Sequence, residues 1–184
     1  LSVLPLFACQ KSQETSNILD NKSYINNFEL IQENTKNNIR IKITSPQANL
    51  DPSNNNNIEI TDSSIEILNT NGTDIKIKSG MSNLNNYENL IRVYKNVNIT
   101  LLNNKDTYIL TDSFDWDLTK SIIELKNPLN INIDNTTISS SNGLYKINSG
   151  QLEINNNKLN RNIFNKEGEH IYQINLIADF GKWI

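Results

Sequence analysis

The chain contains few of the residues that build most catalytic and metal sites. Its 184 residues include one cysteine and one histidine, Cys9 and His170. An internal disulfide, a cysteine-based zinc site and a histidine cluster are therefore excluded. The 17 basic residues are outnumbered by 20 acidic ones and form no run or stripe. We therefore expect neither a nucleic-acid surface nor a surface for anionic membranes.

Asparagine and isoleucine dominate the composition, with 35 and 27 residues. From Phe28 onward, apolar and polar residues alternate over short runs, a pattern that is typical of half-buried strands. Clusters of Asn, Ser, Asp and Gly separate these runs, as turns do. We predict an all-β domain of about a dozen short strands over residues 28–184.

The N-terminal residues 1–9 differ from the rest of the chain. Residues 1–8 (LSVLPLFA) are almost wholly apolar and are followed by Cys9, which is typical of the end of a secretory signal. The ending Leu-Phe-Ala-Cys resembles a bacterial lipobox, so we predict that Cys9 is acylated and anchors the chain to a membrane. Residues 10–27 are predicted to be a flexible tether. The alternative is that Cys9 is a buried residue of an N-terminal apolar strand.

A weak internal repeat runs through the predicted domain. Its units are strand pairs in which a short polar gap separates two alternating runs. The second runs begin at Ile65, Val97, Leu129 and Leu159, which are 32, 32 and 30 residues apart. Such repeats indicate stacked units that share one core. Between the units lie strands with a small-residue kink near a serine, at residues 41–48, 75–82, 108–117 and 138–147.

Two stretches carry a resemblance to a known family. Residues 89–99 (NLIRVYKNVNI) and 113–131 (SFDWDLTKSIIELKNPLNI) are similar to strand motifs of the periplasmic lipopolysaccharide-export bridge family, the LptC, LptA and OstA-like proteins. Trp116 stands where that family usually has tyrosine, and Asn127 where it usually has serine. A single anchored domain of this size looks most like LptC. The positions that fit the motif are Asp117, Ile123, Pro128 and Ile131.

The resemblance implies a twisted open β jelly roll, built from repeated antiparallel strand pairs. It implies a periplasmic role in lipopolysaccharide export without catalysis, cofactor or metal. The implied partners are lipopolysaccharide or a related glycolipid, inner-membrane ABC transporter subunits and an LptA-like bridge protein. With Cys9 acylated, the chain would be anchored to a membrane facing the periplasm, the inner one.

The alternation of apolar and polar residues along each strand indicates which side chains would line an apolar groove for acyl chains. Each CH₂ group moved out of water gains about 0.8 kcal/mol, so such a lining would hold lipid tails. The same side chains would also fill a closed core, and that alternative stays open. The predicted lining residues are Ile65, Ile67, Ile75, Ile77, Ile91, Val93, Val97, Ile99, Leu101, Leu110, Phe114, Trp116, Ile123, Leu125, Leu129, Ile131 and Ile133.

Residues 170–184 (HIYQINLIADFGKWI) form the most apolar stretch after the N-terminal run. An exposed terminal strand is where another protein can add its own sheet. We predict that residues 171–183 form or cover such a docking edge; the alternative is a final strand that closes the core. The predicted docking residues are Ile171, Tyr172, Ile174, Leu176 and Phe180.

Two further interpretations compete with lipid transport. Asp112, Asp115 and Asp117 lie close together in a strand that carries aromatic residues, as carboxylates do in glycosidases and Ca²⁺ sites. Exposed carboxylates on a strand are more often simply solvated. No motif places a nucleophile near His170. The alternative to a lipid carrier is a secreted, Asn-rich β-solenoid or adhesin-like surface protein.

Overall fold

The structure is a computed structural model that describes residues 23–34, 39–50, 56–69, 72–102 and 107–183. Cys9 and most of the predicted tether lie outside these residues. Twelve strands and one 3-10 helix, Ile147–Ser149, are described. The strands are β1 (Ser23–Asn34), β2 (Ile39–Leu50), β3 (Asn57–Asn69), β4 (Gly72–Asn85), β5 (Leu90–Leu101), β6 (Thr107–Asp117), β7 (Ile122–Leu125), β8 (Leu129–Ile133), β9 (Thr136–Ser140), β10 (Asn142–Lys146), β11 (Gln151–Phe164) and β12 (His170–Trp183).

All strand pairings are antiparallel, and β1 to β6 follow one another as a meander. Beyond β6 the strand path divides. One half of β6 pairs with β8 and the other half pairs with β7. These two branches continue through β9 and β10 and meet again on opposite halves of β11. β12 then pairs along the whole length of β11.

Several strands bend at corners where a buried serine hydroxyl donates a hydrogen bond to a backbone carbonyl. Ser45 Oγ donates to Gln47 O at 2.7 Å, Ser79 Oγ to Met81 O at 3.1 Å, and Ser140 Oγ to Asn142 O at 2.8 Å. A bend interrupts the ladder of backbone hydrogen bonds, and the hydroxyl supplies the donor that the freed carbonyl needs. The predicted serine kinks at residues 41–48, 75–82 and 138–147 are therefore confirmed.

The strands between them bend by a different means. Asp62, Asn96 and Asn156 have positive φ angles of 49°, 55° and 52° at the corners of β3, β5 and β11. Asp and Asn tolerate this left-handed conformation better than other non-glycine residues. The two kinds of corner also contact each other. Ser63 Oγ lies 2.7 Å from Ser79 Oγ and 2.6 Å from Ser82 Oγ.

The corners divide the sheet into two layers that face each other. Inward side chains from both layers belong to one buried hydrophobic cluster, which requires the layers to pack face to face. The described fold is the predicted twisted jelly roll, with each long strand crossing from one layer to the other. Layer A contains 28–34, 39–45, 63–69, 72–79, 97–101, 107–111, 129–140 and 157–178; layer B contains 23–26, 47–50, 57–61, 81–85, 90–94, 113–125, 142–155 and 180–183.

Three details differ from the predictions. β1 begins at Ser23, so the last residues of the predicted tether belong to a strand. Several strands are longer than expected because each spans both layers. Leu110 is 43% exposed, so the prediction that it lines the interior is wrong. On β6 the inward residues are Thr111 and then Phe114, because the corner places two residues, instead of one, between these successive inward positions.

Candidate functional site

The interior between the layers is the first candidate site. Apart from Leu110, every predicted lining residue is buried. Layer A contributes residues such as Ile77 and Ile131, whereas layer B contributes the aromatic side chains of Phe114 and Trp116. These side chains are 0–2% exposed and belong to one hydrophobic cluster, so among the described residues they pack against one another without an open groove beside them. In this structure the central interior is a filled apolar core.

The same apolar inward face continues beyond the filled core and becomes exposed. We call residues 158–183 the C-terminal hairpin. Leu159 packs at the margin of the core and pairs with Leu176, whose side chain therefore lies on the same face. Ile174 and Tyr172 follow on that face, opposite Arg161 and Ile163. Leu176 is 56% exposed and Tyr172 is 53% exposed, since none of the described strands of layer B covers this end.

The outer face of the C-terminal hairpin is apolar as well. Ile171, Ile177 and Phe180 are exposed on the side opposite Leu176. β12 pairs only with β11 among the described strands, so one side of its backbone is a sheet edge. The structure thus brings the predicted docking residues together on one exposed edge strand, and none of them closes the core.

The two sides of the sheet differ in how the layers are joined. On the corner side, each long strand connects the two layers covalently. On the opposite side, the described turns form a rim along each layer. Neighbouring turns are bonded within their own layer, as Leu118 N is to Asn89 O (2.9 Å) in layer B and Asn162 N to Asn135 O (3.0 Å) in layer A. We call the line between the two rims the seam.

Tyr145 marks the contact between the layers. It lies on β10 in layer B and is 8% exposed. Burial raises the pKa of its phenol to about 12, and the negative charge of Asp74, from layer A, contributes to the rise. This ring therefore sits where the two layers meet. Trp116 is equally notable, because its buried Nε1 has no hydrogen-bond partner among the described residues.

The carboxylates considered for catalysis are on the outside of the sheet. Asp115 Oδ2 lies 2.7 Å from Lys126 Nζ, and Asp117 Oδ2 lies 2.9 Å from Lys120 Nζ. Partial burial acts to raise the pKa of Asp117, but hydrogen bonds from Lys120 outweigh it and lower that pKa. These ion pairs are surface interactions of small energetic value. They give no support to paired acid–base catalysis.

Other chemistry is limited within the part of the chain that the structure describes. His170 begins β12 and contacts the edge of Phe164, with the ring centroids 5.7 Å apart. Across the described residues, no three His, Cys, Asp or Glu side chains are grouped so as to hold a metal ion. The described segments also contain no helix with the length and apolar character needed to cross a membrane.

Fold and site together define a β jelly-roll protein with an apolar interior and an exposed apolar edge. A model of the family described as lipopolysaccharide-assembly, LptC-related matches residues 5–158. The chain belongs to this LptC-related family, which confirms the predicted resemblance. It therefore has a role in lipopolysaccharide transport, in a family of periplasmic, non-enzymatic transport proteins.

Comparison with solved structures adds a likeness in fold. The chain is similar to LptH, described as the LptA homologous periplasmic component of the lipopolysaccharide transport device from Pseudomonas aeruginosa. The TM-score is 0.48 at 10% sequence identity, and the alignment covers 75% of this chain and 94% of LptH. No curated protein sequence matches the chain.

Proposed function

We propose that this chain is a membrane-anchored carrier that holds the acyl chains of lipopolysaccharide, or of a related glycolipid, against its apolar inward face and passes the lipid to an LptA-like bridge protein. The observation that carries the proposal is the continuity of that face. It runs from the filled interior at Leu159 onto the exposed side chains of Leu176, Ile174 and Tyr172.

The energetics favour an exposed apolar face for lipid binding. Each CH₂ group removed from water contributes about 0.8 kcal/mol, so a lipid with several acyl chains cannot cross an aqueous compartment uncovered. Lipid tails that enter farther into the interior must separate the two layers. The seam can open for this purpose, since the corner side is covalently continuous and the rims are not.

The first test compares two neighbouring residues of β12. Leu176→Glu places a charge on the inward face, and Ile177→Glu places the same charge on the outward face; both positions are exposed. We expect native mass spectrometry of the full chain with lipopolysaccharide to show a saturable adduct for the wild type and Ile177→Glu, and a weakened one for Leu176→Glu. Circular dichroism checks that both variants keep their strand content. Equal loss in both variants, or no adduct in the wild type, contradicts the proposal.

The docking edge is the second component of the proposal. Neighbouring residues of an antiparallel strand direct their backbone N–H groups to opposite sides, and proline removes that group. Of Ile174→Pro and Asn175→Pro, one therefore disrupts pairing with β11 and the other removes a donor from the free edge. We expect the edge-directed proline to leave the hairpin folded and to abolish binding of an LptA-like protein in a pull-down. Undiminished binding by the edge-directed variant, with its hairpin folded, contradicts the docking role.

The anchor is the third component and depends on Cys9, which lies outside the described residues. Expression of the natural gene in its own host should yield a chain acylated at Cys9 and retained in the membrane fraction. Cys9→Ala should release the protein to the soluble periplasmic fraction. An intact, unmodified Cys9 in peptide mass spectra of the membrane-bound protein would overturn this component alone.

A further inference from the structure

A cleft lies at the end of layer A, beside the exposed inward face. It has a volume of about 880 Å³ and lies between the β8–β9 turn and the end of the C-terminal hairpin. Its lining combines apolar side chains, asparagine amides and one cation. The lining residues are Ile133, Asp134, Asn135, Thr136, Arg161, Asn162, Ile163, Phe164 and Asn165.

The position of Arg161 follows from the strand register. Leu159 pairs with the buried Ile138, and Arg161, two residues further along, pairs with Thr136. No bulge separates Leu159 from Arg161, so both side chains lie on the inward face. Arg161 also pairs with Ile174 of β12. A guanidinium therefore lies directly beside the exposed apolar face on which acyl chains are proposed to rest.

Arg161 differs from the other arginines of the chain. The chain has three. Arg40 lies 3.8 Å from Glu33, and Arg92 lies 3.9 Å from Asp115. Arg161 is exposed and has no ion pair within the described residues. Its donors are therefore free to bind an anion.

We propose that this cleft binds the phosphate of an acylated glycolipid headgroup, with Arg161 donating to the phosphate oxygens while the acyl chains lie along Ile174 and Leu176. The proposal rests on the proposed function and adds the chemical class of the headgroup. A guanidinium matches phosphate geometry with two parallel N–H donors. The amides of Asn135 and Asn162 in the lining can donate to further oxygens, whereas Asn165 Nδ2 already donates to Glu169 Oε2 at 2.9 Å. Arg161 lies beyond the residues that the family model matches.

One charge in the lining opposes the phosphate. The Asp134 carboxylate belongs to the same cleft and repels an anion. Neutralising this residue should therefore strengthen binding of a phosphorylated lipid, whereas neutralising Arg161 should weaken it. The two substitutions predict effects of opposite sign at one site, which a general loss of folding or solubility does not produce.

The test uses the full chain with lipid A that carries its phosphates and the same lipid A after their removal. We expect Arg161→Gln to raise the Kd for the phosphorylated lipid about ten-fold and to leave the Kd for the dephosphorylated lipid unchanged. Asp134→Asn should lower the former Kd. Arg92→Gln, which removes an exposed arginine from the outer face, is the matched control and should change neither value.

The possible outcomes separate this inference from the proposed function. Equal wild-type affinities for both lipids, or an equal effect of Arg161→Gln on both, overturn the inference and leave acyl binding in place. Failure to bind either lipid overturns both. The last measurement tests whether inorganic phosphate alone binds to the protein. If it binds and displaces the lipid at comparable concentration, the cleft is a site for free anions, and the headgroup assignment is wrong.

Discussion

The packed body and the C-terminal hairpin have the same kind of sequence and opposite environments. Ile75 and Ile77 alternate with lysines on β4 and are 0–1% exposed. Ile174 and Leu176 alternate with asparagine and isoleucine on β12 and are 37–56% exposed. The difference is whether the other layer covers the strand. A strand of alternating apolar residues is therefore part of a core only where a second layer lies over it. Where it is uncovered, its apolar face is a surface available to a ligand or partner.

The largest expected effect contrasts one isoleucine from each region. Ile77→Ala creates a cavity in the filled interior and should lower the free energy of unfolding by about 2–5 kcal/mol. Ile177, which is 81% exposed, should lose no more than about 0.5 kcal/mol in the same substitution. Urea unfolding followed by circular dichroism measures both. Similar losses at the two positions would remove the distinction between body and hairpin.

A second prediction uses the ionisation of Tyr145 in the body. Burial raises the pKa of its phenol from the ordinary value of 10.0 to about 12 in the folded chain. The folded state therefore resists a deprotonation that the unfolded state accepts. The protonated Tyr145 phenol therefore contributes fully to the free energy of unfolding below pH 10. As the pH rises toward 12 this contribution is lost, and the free energy of unfolding falls by up to roughly 2–3 kcal/mol. Tyr145→Phe cannot ionise and should lack this part of the alkaline loss; parallel pH profiles for the two proteins would contradict the prediction.

A third prediction concerns the corner hydroxyls that the body contains. Ser63→Ala removes the hydroxyl shared by Ser79 and Ser82, and should lower the free energy of unfolding by about 1–2 kcal/mol. Ser64→Ala, one residue further and less buried, is the matched control with an expected change below about 0.5 kcal/mol. Equal effects, measured by urea unfolding, would show that the buried hydroxyl contacts do not stabilise the bend.

The smallest expected effect is at the corner where the hairpin leaves the body. Asn156 has a φ of 52°, which alanine adopts at a cost and glycine does not. Asn156→Ala should lower the free energy of unfolding by about 1 kcal/mol, and Asn156→Gly should change it by less than half of that. Thermal unfolding of the two variants side by side is the measurement. A variant order with glycine less stable than alanine would contradict the left-handed corner.

Much of the fold could be predicted from the sequence because alternation and turn residues act locally. The strand positions, the serine kinks and the interior residues from Ile65 to Ile133 follow from these signals. Leu110 was mispredicted because the bend after Thr111 changes which side of the strand faces inward, and a bend of this kind leaves the alternation of β6 looking continuous. Arg161 could have been noticed in the sequence as a cation next to alternating apolar residues. That no carboxylate of the described residues pairs with it follows only from the three-dimensional structure.

The sequence by itself determined the all-β class, the spacing of the corners and, apart from the first half of β6, the apolar face of the strands from Ile65 to Ile133, since these depend on side-chain period and local backbone preference. Only the tertiary structure decided which apolar strands are covered, where the seam lies and that the last hairpin is exposed. Burial depends on what packs across a strand from the other layer, and that neighbour is distant in sequence. The tertiary structure also placed Arg161 beside the exposed inward face, because strand register joins residues that the chain keeps far apart.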